Sequence, residues 1–400
     1  MNNKILTSFC LSKDYCKKND YKGWDPYDGL NSKIFQLTPL KKSSLARIYW
    51  IQLFKRFPIN LRRIFRVPKT HNAKGIALFL TGYCNLYQII NKDKSNIGNL
   101  DEIRNEIKYL ADLLLSLRSD GYSGDCWGYD FDWQSKAFFL PKNTPTVVVS
   151  SFAVEALINA YKVLKDEIYL NSALSCSNFV LNDLNRIKKD KGFMFSYSPL
   201  DDRAVYNASL LGTKILSMVY SYTRDPKLKE IAFITAKEVC DTQHANGAFP
   251  HSDQVGNKWR DSFHTGFKIE SLFSYQKYCN DNHFDININK AVDYWLKNFF
   301  KSNGEPNYYD DSRYLIDLHC TAQFFPTLYK TNNLKENKII AEKVALWSID
   351  NMFDTSKGLF YFQKTKIYLN KSVYMRWPQA WMFYGLSYWL MFNFKSNEDN

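Results

Sequence analysis

Acidic residues and histidines stand close together in two polar segments of the chain. Asp261 is followed three residues later by His264, and Asp317 is followed two residues later by His319. Histidine exchanges protons near neutral pH, and a carboxyl group can act as acid, base or orienting partner. With Asp202 as a third acidic candidate, these five residues are the predicted catalytic groups. The preferred acid and base are Asp261 and Asp317, with the histidines assisting.

Each of these residues also has an ordinary structural interpretation. Aspartate is among the most favourable N-cap residues of helices, and a histidine can simply be hydrogen-bonded within a core. The combination of two acid–histidine pairs with nearby arginines is what favours catalysis over capping.

A second set of residues has side chains suited to holding a sugar. Arg203 and Arg376 can each clamp a carboxylate with two hydrogen bonds, although either can instead pair with a neighbouring acid. Aromatic residues make up 16% of the chain, and their rings line sites for ring-shaped ligands as well as filling cores. The other predicted substrate-binding residues are Trp127, Asp130, Asp132, Trp259, Tyr374, Trp377 and Gln379.

A polar tip followed by an apolar helix recurs along the chain, which indicates a repeat architecture. With one marker residue for each copy, successive copies lie roughly 54 to 59 residues apart, at Pro145, Arg203, Arg260, Tyr314 and Val373. Each unit has a helix that is apolar on one side, a turn rich in glycine and aromatic residues, and a second helix that is apolar more uniformly. A helix that is apolar all round belongs inside the fold.

Six such pairs are enough to close a ring, if helices beginning near Ser43 and Lys74 are counted as the first pair. The predicted fold is all-α: an (α/α)6 toroid of six inner and six outer helices, with aromatic turns or short hairpins at the mouth. Residues 43–395 are predicted to form this single domain. Residues 1–42 are predicted to be irregular and to cap the cavity, because Pro26 and Gly29 favour a turn.

The sequence also resembles a known group of proteins. The polar helix tips and the glycine–aromatic turns resemble the six-hairpin glycosidase superfamily of (α/α)6 toroids. Four segments resemble more narrowly a group of uncharacterised bacterial proteins associated with surface-polysaccharide biosynthesis: 26–32, 129–134, 263–267 and 375–382. This likeness covers nearly the whole chain, but no motif in it specifies the reaction.

The resemblance implies a carbohydrate-active enzyme that acts on a bacterial surface polysaccharide or oligosaccharide precursor by acid–base chemistry. The reaction would be that of a glycoside hydrolase, a polysaccharide lyase or a uronyl epimerase. The substrate would be an oligosaccharide or polysaccharide, acidic if the arginines bind it, and no cofactor or metal is expected. One alternative is a non-catalytic glycan-binding or scaffold protein of a polysaccharide assembly complex.

Another alternative is a zinc-dependent or terpene-cyclase-like toroid enzyme. Asp317, His319 and Cys320 are possible zinc ligands, but residues so close on one helix point in different directions. The acidic motif Asp-x-Asp-Asp of terpene cyclases is missing, and Asp310-Asp311 alone is a weak signal.

The net charge of +13 is compatible with an anionic partner, but no nucleic-acid-binding motif accompanies it. We therefore expect no nucleic-acid partner. Basic and aromatic residues between Lys55 and Arg66 suggest a peripheral contact with a membrane. Eight cysteines without a disulfide-like spacing, and an N-terminus without a signal-peptide core, predict a cytoplasmic protein that is peripheral to the membrane if that contact forms.

Overall fold

The protein folds into a closed double ring of helices. The computed structural model describes residues 2–93, 97–136, 138–253 and 259–395. Each inner helix packs against the next, and the last packs against the first. The inner ring consists of α4 (Ala73–Asp93), α6 (Val147–Leu164), α8 (Tyr206–Thr223), α10 (Ser262–Cys279), α12 (Leu318–Lys330) and α14 (Ala380–Lys395).

The inner helices are buried on almost every side. In α8, residues Tyr206 to Val219 are all buried, and the small residues Ser209 and Gly212 leave room for Phe195 of an adjoining hairpin. A helix enclosed in this way needs apolar or small side chains around its whole circumference. The predicted division into inner and outer helices depends on this pattern.

The outer helices bury one face only. In α5 (Leu100–Ser116), the buried residues Ile103, Ile107, Leu110 and Leu114 recur at helical spacing. Four others follow the same plan and connect successive inner helices: α7 (Glu167–Asn182), α9 (Pro226–Cys240), α11 (Asp285–Phe299) and α13 (Lys338–Met352).

The sixth outer helix is α1 (Asn3–Lys18), so the prediction that residues 1–42 are irregular is wrong for this part. Helix α1 packs between α13 and α14, and the Phe9 ring stacks on Phe383 at a centroid distance of 5.0 Å. Its buried residues Ile5, Phe9 and Cys16 lie on one helical face. The predicted toroid is confirmed. Helix α1 occupies the outer position that was predicted for the stretch beginning at Ser43.

That stretch forms a separate element on the outside of the ring. Helix α3 (Ser44–Arg56) follows α2 (Lys33–Gln36) and a 3₁₀ turn, Pro39–Lys42. It packs on Leu30, Phe35 and a neighbouring hairpin, and it does not replace a ring helix.

Short antiparallel strands lie between outer and inner helices. The pairs are β1 (Trp133–Gln134) with β2 (Phe139–Leu140), β3 (Arg186–Lys188) with β4 (Phe193–Phe195), and β6 (Phe353–Asp354) with β7 (Leu359–Phe360). A three-stranded sheet joins β5 (Ile316–Asp317), β8 (Gln363–Lys364) and β9 (Leu369–Asn370), and in it Asp317 pairs with Gln363. This sheet ties the start of α12 to the loop before α14.

One helix in the described part of the chain, α6, is long and apolar enough to cross a membrane. Of its 18-residue apolar window, 67% is buried inside the protein. This apolarity is explained by its place in the inner ring.

Ring closure depends on close contact between α12 and α14, which predicts the effect of one substitution. A Cβ at Gly385 would lie 2.4 Å from the Ala322 carbonyl oxygen. We expect Gly385→Ala to lower the free energy of unfolding by about 1–3 kcal/mol, because two buried helix backbones must separate. Urea denaturation of the purified chain measures this change.

The control is Gly98→Ala, because a Cβ at Gly98 would have its nearest neighbour at an ordinary 3.7 Å. This variant should remain within about 0.5 kcal/mol of the parent protein. Equal stability of both variants and the parent would contradict the close packing of α12 on α14.

Candidate active site

A cavity of about 460 Å³ opens at the N-terminal ends of the inner helices. Side chains in a first helical turn tilt toward the helix N-terminus, so six such ends direct their side chains into one space. The second residue of each of five inner helices lines the cavity. Before α14, the residue in the corresponding place is the second residue of the π-helical turn Met375–Gln379. These residues are Lys74, Val148, Asn207, Phe263, His319 and Arg376.

Aromatic rings form most of the cavity wall. Two come from or near the hairpin β1–β2, Trp133 and Phe138, and one comes from the N-terminal segment, Tyr27. Tyr27 places part of residues 1–42 at the cavity, and the capping of the cavity by this segment stays a prediction. Rings with a few convergent polar groups are typical of small-molecule sites, and a volume of this size fits one or a few sugar units.

His264 lies in this wall, held by the carboxylate of Asp261. The Nδ1 atom of His264 is 2.6 Å from Asp261 Oδ2, while Asp261 Oδ1 accepts a hydrogen bond from the His264 backbone N–H at 2.8 Å. Asp261 is thus the N-cap of α10 and the partner of the imidazole ring at the same time. A carboxylate on Nδ1 selects the Nδ1–H tautomer and leaves Nε2 as the basic atom.

His319 is almost fully buried, with 1% of its surface exposed, and neither ring nitrogen has a hydrogen-bond partner within the described structure. Its ring stacks on Phe263 at 4.1 Å and lies 3.9 Å from the Trp381 ring. Burial, followed by the positive charge of Lys74, lowers the pKa of His319 well below its ordinary value. The imidazole is therefore neutral at physiological pH and can either accept or donate a proton.

Phe263 brings the two histidines together. Its ring centroid lies 4.2 Å from that of His264 and 4.1 Å from that of His319. The two imidazoles are therefore neighbours in one wall of the cavity, although their residues lie 55 positions apart in the chain.

Asp317 lies behind the wall. It caps α12 by accepting the His319 backbone N–H at 2.8 Å. Its carboxylate also accepts hydrogen bonds from Gln363 Nε2 at 2.6 Å and from Trp377 Nε1 at 2.8 Å. Burial, only partly offset by these donors, raises the pKa of Asp317. Asp317 therefore orients Trp377, a ring that lines the cavity.

Several buried polar atoms of the cavity wall have no partner in the described structure. They are Asp201 Oδ2, Asn207 Oδ1, His251 Nδ1 and both ring nitrogens of His319. A buried polar atom without a partner costs about 1–3 kcal/mol, so such atoms are rare unless a ligand or water satisfies them. Five of the twelve unpartnered buried atoms in the described residues therefore surround this cavity, where they can bond a polar ligand or water.

Three cationic side chains line the cavity, and two of them are already paired. Arg203 Nε donates to Asp201 Oδ1 at 2.9 Å, and Arg376 binds Asp25 through both Nε and Nη2. Lys74 is buried, and its ammonium lies 4.6 Å from the Phe152 ring centroid. Burial, followed by the charge of Arg376, lowers the pKa of Lys74. An anion in the cavity would stabilise its charged form.

The cavity includes six of the predicted site residues: His264, His319, Arg203, Arg376, Trp259 and Trp377. Trp259 stacks on His251 at a centroid distance of 3.9 Å. The roles of these residues in binding and catalysis stay predictions.

Other predicted site residues lie elsewhere, which corrects their expected placement. Asp202 is exposed, and its neighbour Asp201 lines the cavity instead. Trp127 is a core residue that donates to the Leu114 carbonyl, and Gln379 bonds the Phe360 backbone. Tyr374 accepts a hydrogen bond from Arg62, Asp130 bonds Thr70 and Asn72, and Asp132 accepts the Lys142 backbone N–H. Asp261 and Asp317 lie behind the wall, not in it.

Lys74, Asn207 and His251 line the cavity but are not among the site residues predicted from the sequence. Lys74 and Asn207 share the second helical position with His319, so aligning the helix starts would have identified them. His251 comes from a loop that forms a β-bridge between Ser252 and Val205, and no local pattern indicates this contact.

In the described part of the chain, no three His, Cys, Asp or Glu residues are grouped so that they could hold a metal ion. The zinc-dependent alternative therefore gains no support from the geometry. Cys320, one of its candidate ligands, is buried, and the thiol pKa is raised by burial.

No family model and no curated protein sequence matches this chain. Its fold is similar to that of several solved structures. Cellobiose 2-epimerase from Bacillus thermoamylovorans is 12% identical with a TM-score of 0.60, over 80% of this chain and 90% of that one. A GH76 alpha-mannanase from Bacteroides thetaiotaomicron is 14% identical with a TM-score of 0.61, over 84% and 89%.

An unsaturated glucuronyl hydrolase specific for heparin is 10% identical with a TM-score of 0.60, over 98% of this chain and 97% of that one. At such identities the similarity concerns the fold. The chain has the (α/α)6 toroid fold that these structures share, so the fold predicted from the sequence is confirmed.

The buried, neutral state of His319 predicts a pH dependence of stability. The pKa of His319 is lowered in the folded protein, so the imidazole takes up a proton more readily in the unfolded chain. The free energy of unfolding therefore falls as the pH drops below about 6.5. Between pH 6.5 and 5, the native protein should lose about 1–2 kcal/mol more stability than the His319→Phe variant. Urea unfolding at both pH values measures this difference.

Phe267→Leu is the matched control, because it alters the same aromatic cluster without removing an ionisable group. It should keep the pH dependence of the parent protein. If His319→Phe keeps it as well, His319 is not a buried neutral histidine.

Proposed function

We propose that this protein is a carbohydrate-active enzyme that moves a proton at a carbon atom of a sugar, with His264 and His319 as the acid and base. The observation that carries the proposal is the cavity itself. Two adjacent histidines, a largely aromatic wall and several unpartnered buried polar atoms occupy one space of suitable size. The fold is shared with epimerases and hydrolases, so the site chemistry has to distinguish between them.

The distribution of carboxylates favours histidine chemistry. Glycoside hydrolysis usually needs two carboxyl groups on either side of the scissile bond. Among the described residues, Asp201 is the one carboxylate that lines the cavity, and it is bonded to Arg203. Asp261 and Asp317 serve as helix caps and hydrogen-bond partners behind the wall. In our proposal Asp261 and Asp317 are therefore not the acid and base, and they instead orient His264 and Trp377.

The arrangement suits removal of a proton next to a carbonyl or carboxyl group. His264 Nε2 accepts the proton from carbon, and the Asp261 carboxylate stabilises the imidazolium that forms. The electron pair moves to the carbonyl oxygen, giving an enolate. The N–H of neutral His319 then gives its proton to carbon, which yields an epimer or isomer, or to a leaving oxygen, which yields elimination. The imidazolate left at His319 regains a proton from the His264 imidazolium through solvent, which restores both histidines.

The electrostatics of the cavity favour an acidic sugar. The N-termini of the inner helices carry partial positive charge, and Lys74 adds an ammonium among aromatic rings. Arg203 and Arg376 are paired within the protein, so Lys74 is our candidate for contact with a uronate carboxylate or a similar anion.

The biological setting is the part of the proposal that rests on sequence resemblance. Residues 26–32, 129–134, 263–267 and 375–382 support a precursor of a bacterial surface polysaccharide as the substrate, and the eight cysteines without disulfide-like spacing support a cytoplasmic location. A non-catalytic glycan-binding protein would use the same cavity without turnover, and the experiment below separates the two.

The test is proton exchange with solvent. The protein is incubated in D₂O with neutral and uronic oligosaccharides, and deuterium at sugar carbons is followed by NMR and mass spectrometry. We expect incorporation with the native protein and a loss of at least about 100-fold in rate for His264→Gln and His319→Gln, because each removes a proton carrier. Both variants should still bind the sugar.

The control is Asp202→Asn, which changes an exposed acid near the mouth and should leave exchange unchanged. Glycan cleavage without carbon-bound deuterium, abolished by Asp201→Asn, would replace proton transfer with hydrolysis. Binding without exchange or cleavage would favour the non-catalytic alternative.

A further inference from the structure

Residues 33–69, here called the basic insert, account for most of the net positive charge of the protein. The insert contains ten lysines and arginines, and no aspartate or glutamate occurs between Asp28 and Asp93. The whole chain has a net charge of +13. The charge excess is therefore concentrated on one surface element outside the ring of helices.

The same insert exposes an unusual number of large apolar side chains. Of seventeen exposed large hydrophobic residues in the described structure, nine lie between Ile34 and Ile64. Leu45, Tyr49 and Leu53 follow one another at four-residue spacing along α3, so they form a single outward stripe. Leu45 is 66% exposed and Tyr49 is 74% exposed.

The basic residues of the insert have two kinds of surroundings. Arg62 is buried and binds Asp28 at 2.5 Å, and Lys55 donates to the Tyr27 hydroxyl at 2.9 Å, so these two anchor the insert. Seven others are exposed, and none of them forms a salt bridge within the described structure: Lys33, Lys41, Lys42, Arg56, Arg63, Arg66 and Lys69. Their charges face solvent beside the apolar stripe.

We propose that the basic insert is a docking surface for an anionic lipid bilayer. An exposed apolar helical face flanked by lysines and arginines is the composition of elements that lie in a membrane interface. A large contiguous apolar patch marks an interaction site, and here the uniform positive charge indicates a negatively charged partner. A second copy of this chain would bring the same charge to the contact and be repelled.

The insert adjoins the cavity through the hairpin β1–β2. Arg47 of α3 donates to Gln134 at 2.8 Å, and its guanidinium lies 4.4 Å from the Phe139 ring centroid. Trp133 and Phe138 of the same region line the cavity. A bilayer bound to the insert would therefore lie near the cavity mouth, where it could supply a membrane-anchored substrate. The docking itself does not depend on the proposed reaction.

Binding of the full-length chain to vesicles tests the inference. Sedimentation with vesicles containing phosphatidylglycerol is compared with sedimentation with pure phosphatidylcholine vesicles, at low and high salt. We expect binding to the anionic vesicles that weakens with salt. Leu45→Ser with Tyr49→Ser should weaken it about tenfold through lost apolar contact, and Arg63→Gln with Arg66→Gln should weaken it by a similar factor.

The control is Ile286→Ser with Ile339→Ser, which removes two comparably exposed apolar residues from α11 and α13. This variant should bind vesicles like the parent protein. The inference is overturned if the native protein ignores anionic vesicles, or if the insert variants bind as well as the control. It is also overturned if the insert variants dissociate a dimer seen without lipid, since the stripe would then contact a second copy. Thermal unfolding of every variant verifies that the fold is retained.

Discussion

The meeting of six helix N-termini around one space is the constraint on which the rest of this protein depends. Once the ring closes, first-turn side chains from segments far apart in sequence must share a small volume. Burial there is costly for polar atoms, and His319 and Asn207 keep polar atoms without partners in the described structure. The fold therefore keeps polar atoms without protein partners around the cavity, and a polar ligand or water that bonds them would offset the cost of their burial.

Helix capping determines which side chains remain free for chemistry. The exposed N–H groups at the start of α10 and α12 need acceptors, and Asp261 and Asp317 supply them. Both carboxylates are consequently held behind the wall, and each orients a ring that reaches the cavity, His264 and Trp377. The two residues predicted from the sequence as acid and base are thus the hydrogen-bond partners of His264 and Trp377.

Much of the fold was accessible from the sequence, because helical periodicity and the recurring turns are local signals. The first helix was missed because two of its five buried positions, Ser8 and Ser12, are themselves polar, and because a turn-rich segment follows it. In the site, local spacing identified His264 and His319 but not the direction of the Asp261 carboxylate. Contacts such as Arg376 with Asp25 join residues 351 positions apart, and no local pattern reports them.

The proposed proton transfer requires a sugar carbon to lie between the imidazoles of His264 and His319. A crystal structure with a bound uronic oligosaccharide tests this most directly. We expect a sugar ring in the aromatic cavity, with its reactive carbon about 3–3.5 Å from His264 Nε2. A nitrogen of His319 should lie within reach of the opposite face of that carbon or of the leaving oxygen. A glycosidic oxygen held between two carboxyl groups, or a sugar bound away from both histidines, would contradict it.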